Sequence, residues 1–173
     1  VHCGSWVRRV AMHPAVSQVH VAGITSQDIG SGHAWENYLR PLRAGKLTYW
    51  SCGVDTSWAK KIGSSKAFRS FASLTELVQA LSLQMSEWPQ DTYLSIDKDV
   101  FAPEVVRTNW DQGQMLEKQA MGLIDALRGQ IIGSDITGDV SAWKYSTWWK
   151  RLMSAGDGQD TQIDAETLAA WQA

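Results

Sequence analysis

Cysteine is nearly absent. Cys3 and Cys52 are the only two in 173 residues, too few and too far apart for a disulfide scaffold or a zinc cage, so both are expected to be reduced thiols in a cytoplasmic protein. An excess of either charge is also missing. Sixteen Lys and Arg against eighteen Asp and Glu leave a formal net charge of −2, which argues against nucleic acid or an anionic membrane as the main partner. No apolar run reaches the length of a membrane span, and no signal-peptide pattern is read at the start. Several chemical signatures do not occur: G-x-x-x-x-G-K-[ST], G-x-G-x-x-G after a strand, G-x-S-x-G and H-x-x-x-H.

What is present is an ordinary globular composition, 44% hydrophobic, and residues 1–173 are expected to form a single α/β domain. The ten tryptophans are scattered rather than periodic. They are read as core and loop anchors, with carbohydrate binding as the alternative. A helix is expected over Trp6 to Met12, stopped by Pro14, then a strand over Gln18 to Ile24. The long stretch Thr25 to Ser64 is expected to hold a short helix near Ala34 to Arg43 and a strand near Leu47 to Cys52. Ser73 and Glu76 form a capping-box signature. The helix they open places Leu74, Leu77, Val78, Leu81 and Met85 on one stripe. A strand at 92–99, a helix from Gln112 to Leu127, a strand from Gln130 to Ile136, a helix from Trp143 to Met153, a break at "SAGDGQD" and a last helix capped by Asp164 complete the pattern. Such alternation, with strands that read as buried on both faces, predicts a mainly parallel sheet covered by helices, with chemistry at the carboxyl ends of its strands.

Those strand ends carry the candidate site. In "TYLSIDKDV", alternation puts Ser95, Asp97 and Asp99 on one side, with Ile96 and Lys98 on the other. Two like charges so placed call for a cation or a ring of donors. The following "RTNWDQG" supplies Asn109, Trp110, Asp111 and Gly113, and "GSDITGD" supplies Asp135 and Asp139. Of the four histidines, His33 in "IGSGHAW" is the one placed like a site residue; His2, His13 and His20 are expected to be structural or exposed.

The segment "YLSIDKDVFAPEVVRTNWDQGQM", followed by "QIIGSDITGD", resembles the arginase and ureohydrolase superfamily, and within it an arginase-like branch with a T-N-W-[DE]-x-G loop. The resemblance implies a three-layer α/β/α fold of the arginase/deacetylase kind. It also implies a two-metal, usually manganese, centre in which Asp97 and Asp99 are ligands. Such a centre activates a bridging hydroxide for attack on a guanidinium or amide carbon by lowering the pKa of bound water. Thr108 to Gly113 would take the place of the family's loop beside the pocket, and Asp135 would open the substrate-side acidic motif. A small-molecule substrate follows, with a homo-oligomer allowed.

The chain also departs from that pattern. No D-x-H-x-D occurs, and the position of the family's glutamate three residues after Asp135 is Gly138, with Asp139 next to it. A start at Val1 and an end at "LAAWQA" lead to the expectation that this is the C-terminal part of a longer arginase-like domain. The rival expectations are a non-catalytic arginase-fold protein that binds a small molecule between Trp110, Trp35 and Trp50, and a carbohydrate-binding or structural domain whose aspartates cap loops.

Overall fold

The computed structural model describes residues 5–140, 146–156 and 163–172. The protein is mixed α/β, and its chain divides into two compact units, Val1–Leu77 and Val78–Ala173. Among the described residues all strand pairings are parallel, as the alternation of helix and strand predicts, but the strands fall in two sheets: β1-β2-β3 and β4-β5. Among the described residues no helix is long and apolar enough to cross a membrane.

The N-terminal unit holds α1 (Ser5–Ala11), β1 (Val19–Ile24), α2 (Leu39–Arg43), β2 (Leu47–Cys52), α3 (Trp58–Lys61) and β3 (Phe68–Phe71). Its central strand β2 is buried from Leu47 to Ser51, the pattern of a strand covered on both faces. Leu47 and Tyr49 share a face with Val19, Val21 and Phe68 by register and pack into a core with Ala11, Ile29, Leu42, Val54 and Ala59. On the opposite face Trp50 is wholly buried. The Arg69 guanidinium lies 4.2 Å from its ring centroid, Phe71 stacks on it at 5.9 Å, and its Nε1 donates to His20 Nδ1 at 3.0 Å. Trp50 is therefore a core residue and not a pocket wall, which corrects the expectation for it, while Trp35 is 82% exposed.

The helix expected near Ala34 to Arg43 is broken. A 3-10 segment covers Ser31–Glu36, Asn37 is extended, and α2 starts only at Leu39. Pro41 explains the break. It is tolerated in the first turn of α2, where no amide partner is needed, but inside a helix begun at Ala34 its ring would meet the carbonyl four residues back. Strand β3, which was not expected from the sequence, pairs with β2 through Tyr49↔Phe68 to Cys52↔Phe71.

The boundary between the units falls within α4 (Leu74–Ser86). This helix matches its sequence pattern: Leu77 and Leu81 are buried, Val78 is half-buried, and Glu76 and Gln79 are exposed. Ser73 Oγ accepts from Glu76 N at 3.2 Å, as the capping signature requires. The C-terminal unit continues with β4 (Thr92–Asp97), α5 (Glu117–Ala126), β5 (Ile131–Thr137), α6 (Trp148–Gly156) and α7 (Ala165–Gln172). Asp164 caps α7, its two oxygens accepting from Thr167 N and Thr167 Oγ1, each at 2.8 Å. The expected helix start at Trp143 and most of the expected break at "SAGDGQD" lie outside the described residues.

β4 and β5 are not buried on both faces. Tyr93, Ser95 and Asp97 are exposed and alternate with half-buried Thr92, Leu94 and Ile96, while Ile132 and Ile136 are 70% and 64% exposed. The alternation in β4 is that of a strand covered on one face only. The helix expected from Gln112 begins instead at Glu117, with the Leu116 amide donating to Gln119 Oε1 at 2.9 Å. Residues 113–115 are held elsewhere: Gly113 N donates to Asp99 O at 2.6 Å and Met115 N to Val100 O at 3.0 Å.

Candidate functional site

The site residues of the C-terminal unit gather around the end of β4. Register pairs Tyr93 with Gly133, Ser95 with Asp135 and Asp97 with Thr137, so Ser95, Asp97 and Asp135 share one face of the two-stranded sheet. Ser95 Oγ donates to Asp135 Oδ1 at 2.6 Å, and Tyr93 OH donates to Asp135 Oδ2 at 3.1 Å. Both oxygens of Asp135 are thus occupied, and the hydrogen bond to Asp135 is the first cause raising the Tyr93 hydroxyl above its ordinary pKa. Gly133 leaves space for that tyrosine, since a Cβ there would stand 2.9 Å from Tyr93 Cε2.

Asp97 and Asp99 do not lie side by side on the strand. β4 stops at Asp97, and Lys98–Val100 form a 3-10 turn whose first residues are capped by Asp97, Oδ1 accepting from Asp99 N at 3.3 Å. The turn breaks the alternation, so Asp97 stays exposed while Asp99 is half-buried. This corrects the expected 92–99 strand with three side chains on one side. Lys98 reaches across to Asp139, Nζ to Oδ1 at 2.5 Å. Asp97 also depends on Gly138, which has φ +84°. A Cβ built there would stand 2.2 Å from Asp97 Oδ1. Any side chain at Gly138 would therefore displace the Asp97 carboxylate.

Burial pushes the Asp99 carboxyl up to about 6, Thr108 opposes the rise, and the charges of Asp97 and Asp111 add to it. Thr108 faces Asp99 closely enough to be felt. Even so, neither Asp99 Oδ1 nor Thr108 Oγ1 completes a hydrogen bond of ordinary geometry, and both atoms are buried. An uncompensated, partly desolvated carboxylate is costly, and such groups concentrate at functional sites.

The "TNWDQG" segment closes a compact loop whose two ends meet, with Phe101 bridging Met115. Its organiser is Gln112, which is not among the residues expected from the sequence to form the site. Nε2 donates to Val106 O at 2.8 Å and to Phe101 O at 3.4 Å, and Oε1 accepts from Thr108 N at 3.3 Å. Its position inside the quoted loop motif was the available signal, but a glutamine's use of both ends depends on the loop's closure. Gly113 is needed for close approach, because a Cβ would stand 2.3 Å from Val100 O. Asn109 is buried, Trp110 half-buried and Asp111 exposed. His33 belongs to the N-terminal unit, is exposed, and contacts Glu36 through Nδ1 at 3.0 Å; that hydrogen bond is the first cause raising its pKa.

Among the described residues no three His, Cys, Asp or Glu side chains form a group able to hold a metal ion. Asp97, Asp99 and Asp111 interact electrostatically. Yet this all-carboxylate set does not fit a pair of divalent ions that each take about six ligands.

No protein-family model, curated protein or solved structure matches the chain.

Proposed function

We propose that the chain carries the carboxylate side of an arginase-like, metal-dependent hydrolase of a C–N bond, with a guanidino or amide substrate. Asp97 and Asp99 are the metal-facing groups, and the divalent cation is Mn²⁺. The observation that carries this reading is Asp99. Its carboxyl is half-buried within electrostatic reach of Asp97 and Asp111, with one buried oxygen unpartnered, and a divalent cation would neutralise that concentration of negative charge. Its place at the carboxyl end of a parallel strand supports the same reading, since ligands of α/β sheets bind there. The ligands that a second ion requires are not among the described residues. The three-layer arginase-like architecture is part of this proposal.

A second reading is a non-catalytic binding protein in which the aspartates are structural. It is favoured by the bonds of Asp97 to the turn amide and of Asp135 to Ser95 and Tyr93. Calorimetric titration of the protein with Mn²⁺ separates the two. The enzyme reading expects saturable binding that Asp97→Asn and Asp99→Asn each weaken by about tenfold or more, about 1.4 kcal/mol. Equal affinity in all three proteins, or no binding at all, leaves the D-x-D as a structural strand end.

A further inference from the structure

A cleft in the C-terminal unit, of about 240 Å³, adjoins the end of β4 through Lys98, Gly138 and Asp139 and is completed by Val106, Arg107, Val140 and Trp171. Its walls combine an apolar body with a cationic rim. Val140 is buried, Val106 and Trp171 are half-buried, and Arg107 is exposed. Arg107 forms no ion pair or hydrogen bond among the described residues. Lys98 is committed to Asp139 through one contact, but an ammonium carries three donors, so others remain available to a ligand.

We propose that this cleft binds a small monocarboxylate with a short apolar body: the carboxylate on Arg107 and Lys98, the body against Val106, Val140 and Trp171. Charge selects the class. The lining carries Lys98, Arg107 and Asp139, and the Asp97 carboxylate stands against Gly138 at its edge, so a single carboxylate can be held by the unpaired Arg107 whereas a phosphate dianion would face repulsion from two carboxylates. The planar guanidinium fork of Arg107 matches a carboxylate in two-point contact. The volume lies below the roughly 300–1,000 Å³ of sites that enclose drug-sized ligands, which limits the ligand to a small metabolite-like acid. The contacts to Arg107 and Trp171 need no metal, so the cleft can be tested apart from the reading of Asp97 and Asp99.

Phenylacetate, titrated into the protein in EDTA and followed by two-dimensional ¹H–¹⁵N NMR, tests the proposal. Saturable binding with a Kd on the order of a millimolar is expected. It should shift one indole N–H resonance, the one missing from Trp171→Phe. Arg107→Gln should weaken binding about tenfold. Asp139→Asn should tighten it about threefold by releasing Lys98 from its competitor. Phenylacetamide, the uncharged analogue, should not bind. The proposal is overturned if Arg107→Gln binds as the wild type does, if the amide competes equally, or if inorganic phosphate matches phenylacetate, since those outcomes mean an apolar patch or unspecific anion attraction. EDTA keeps failure here distinct from failure of the Mn²⁺ titration.

Discussion

Replacing Asp99 with Asn should make the metal-free protein more stable near neutral pH. The sign follows from linkage. The folded-state carboxyl is raised from an ordinary 3.8 to about 6, so between those values the folded state holds more protons than the unfolded chain. Its stabilising effect is complete below about pH 4 and is lost as pH rises through about 6. A rise of this size is linked to about 3 kcal/mol if undiscounted. Because Asp99 is only half-buried, solvent screening reduces the expected effect to about 1 kcal/mol. Asn keeps the shape and removes the charge, so Asp99→Asn should exceed the wild type by about 1 kcal/mol at neutral pH and converge with it near pH 4, the wild type being protonated there. Urea denaturation in EDTA across this range, followed by circular dichroism, measures the difference, and at about 1–3 kcal/mol/M the midpoint should move by about 0.5 M. Taking the difference between the two proteins cancels Asp55 and Asp164, whose carboxyls are held low by bonds to Ser57 and Thr167 and whose contributions are lost as pH falls. A variant equally displaced from wild type at both ends of the range, in either direction, would refute the electrostatic reasoning. On the proposed metal reading, saturating Mn²⁺ should stabilise the wild type by about 1.4 kcal/mol more than Asp99→Asn, whose affinity is about tenfold weaker, and so offset the variant's advantage.

Leu81 is wholly enclosed in α4, so Leu81→Ala should cost about 2–5 kcal/mol in chemical denaturation; a neutral result would mean that face is not core. Gln112→Ala removes the side-chain bonds to Phe101, Val106 and Thr108. It should cost about 1–3 kcal/mol and speed proteolysis within residues 101–115, whereas unchanged cleavage would deny Gln112 its organising role. Gly113→Ala should destabilise by driving a Cβ into Val100 O, while Gly122→Ala in α5, where a Cβ meets open space, should stabilise by about 0.5–1 kcal/mol. Histidine NMR titrations should diverge. Burial, then the charge of Arg69, lowers His20 to about 4, and the Glu36 hydrogen bond raises His33. The His20 contribution is present above about pH 6.5 and lost as pH falls through about 4, whereas that of His33 is present below about pH 6.5 and lost as pH rises. Coincident midpoints would contradict both environments.

The sequence by itself determined what short-range chemistry controls. The stripe and cap of α4, the Asp164 cap of α7, the parallel alternation of helix and strand, and the placing of an Asp at the end of β4 all rest on neighbours a few residues apart. Tertiary structure decided the rest. Whether Asp99 continues β4 or turns inward depends on the 98–100 turn meeting Gly113 and Met115 from the far side of a loop. The room for Asp97 depends on Gly138, and the direction of Lys98 on Asp139, both reached only after the chain has passed through α5 and β5. Trp50, a pocket wall in one expectation from the sequence, is buried because β1 and β3 bring His20, Arg69 and Phe71 around it. β3 is too short for its pattern to announce it and becomes a strand by pairing with β2. Periodicity and caps are written locally and can be read in a line of residues. Burial, the compensation of charge and the sharing of strands between two sheets arise only when distant segments meet.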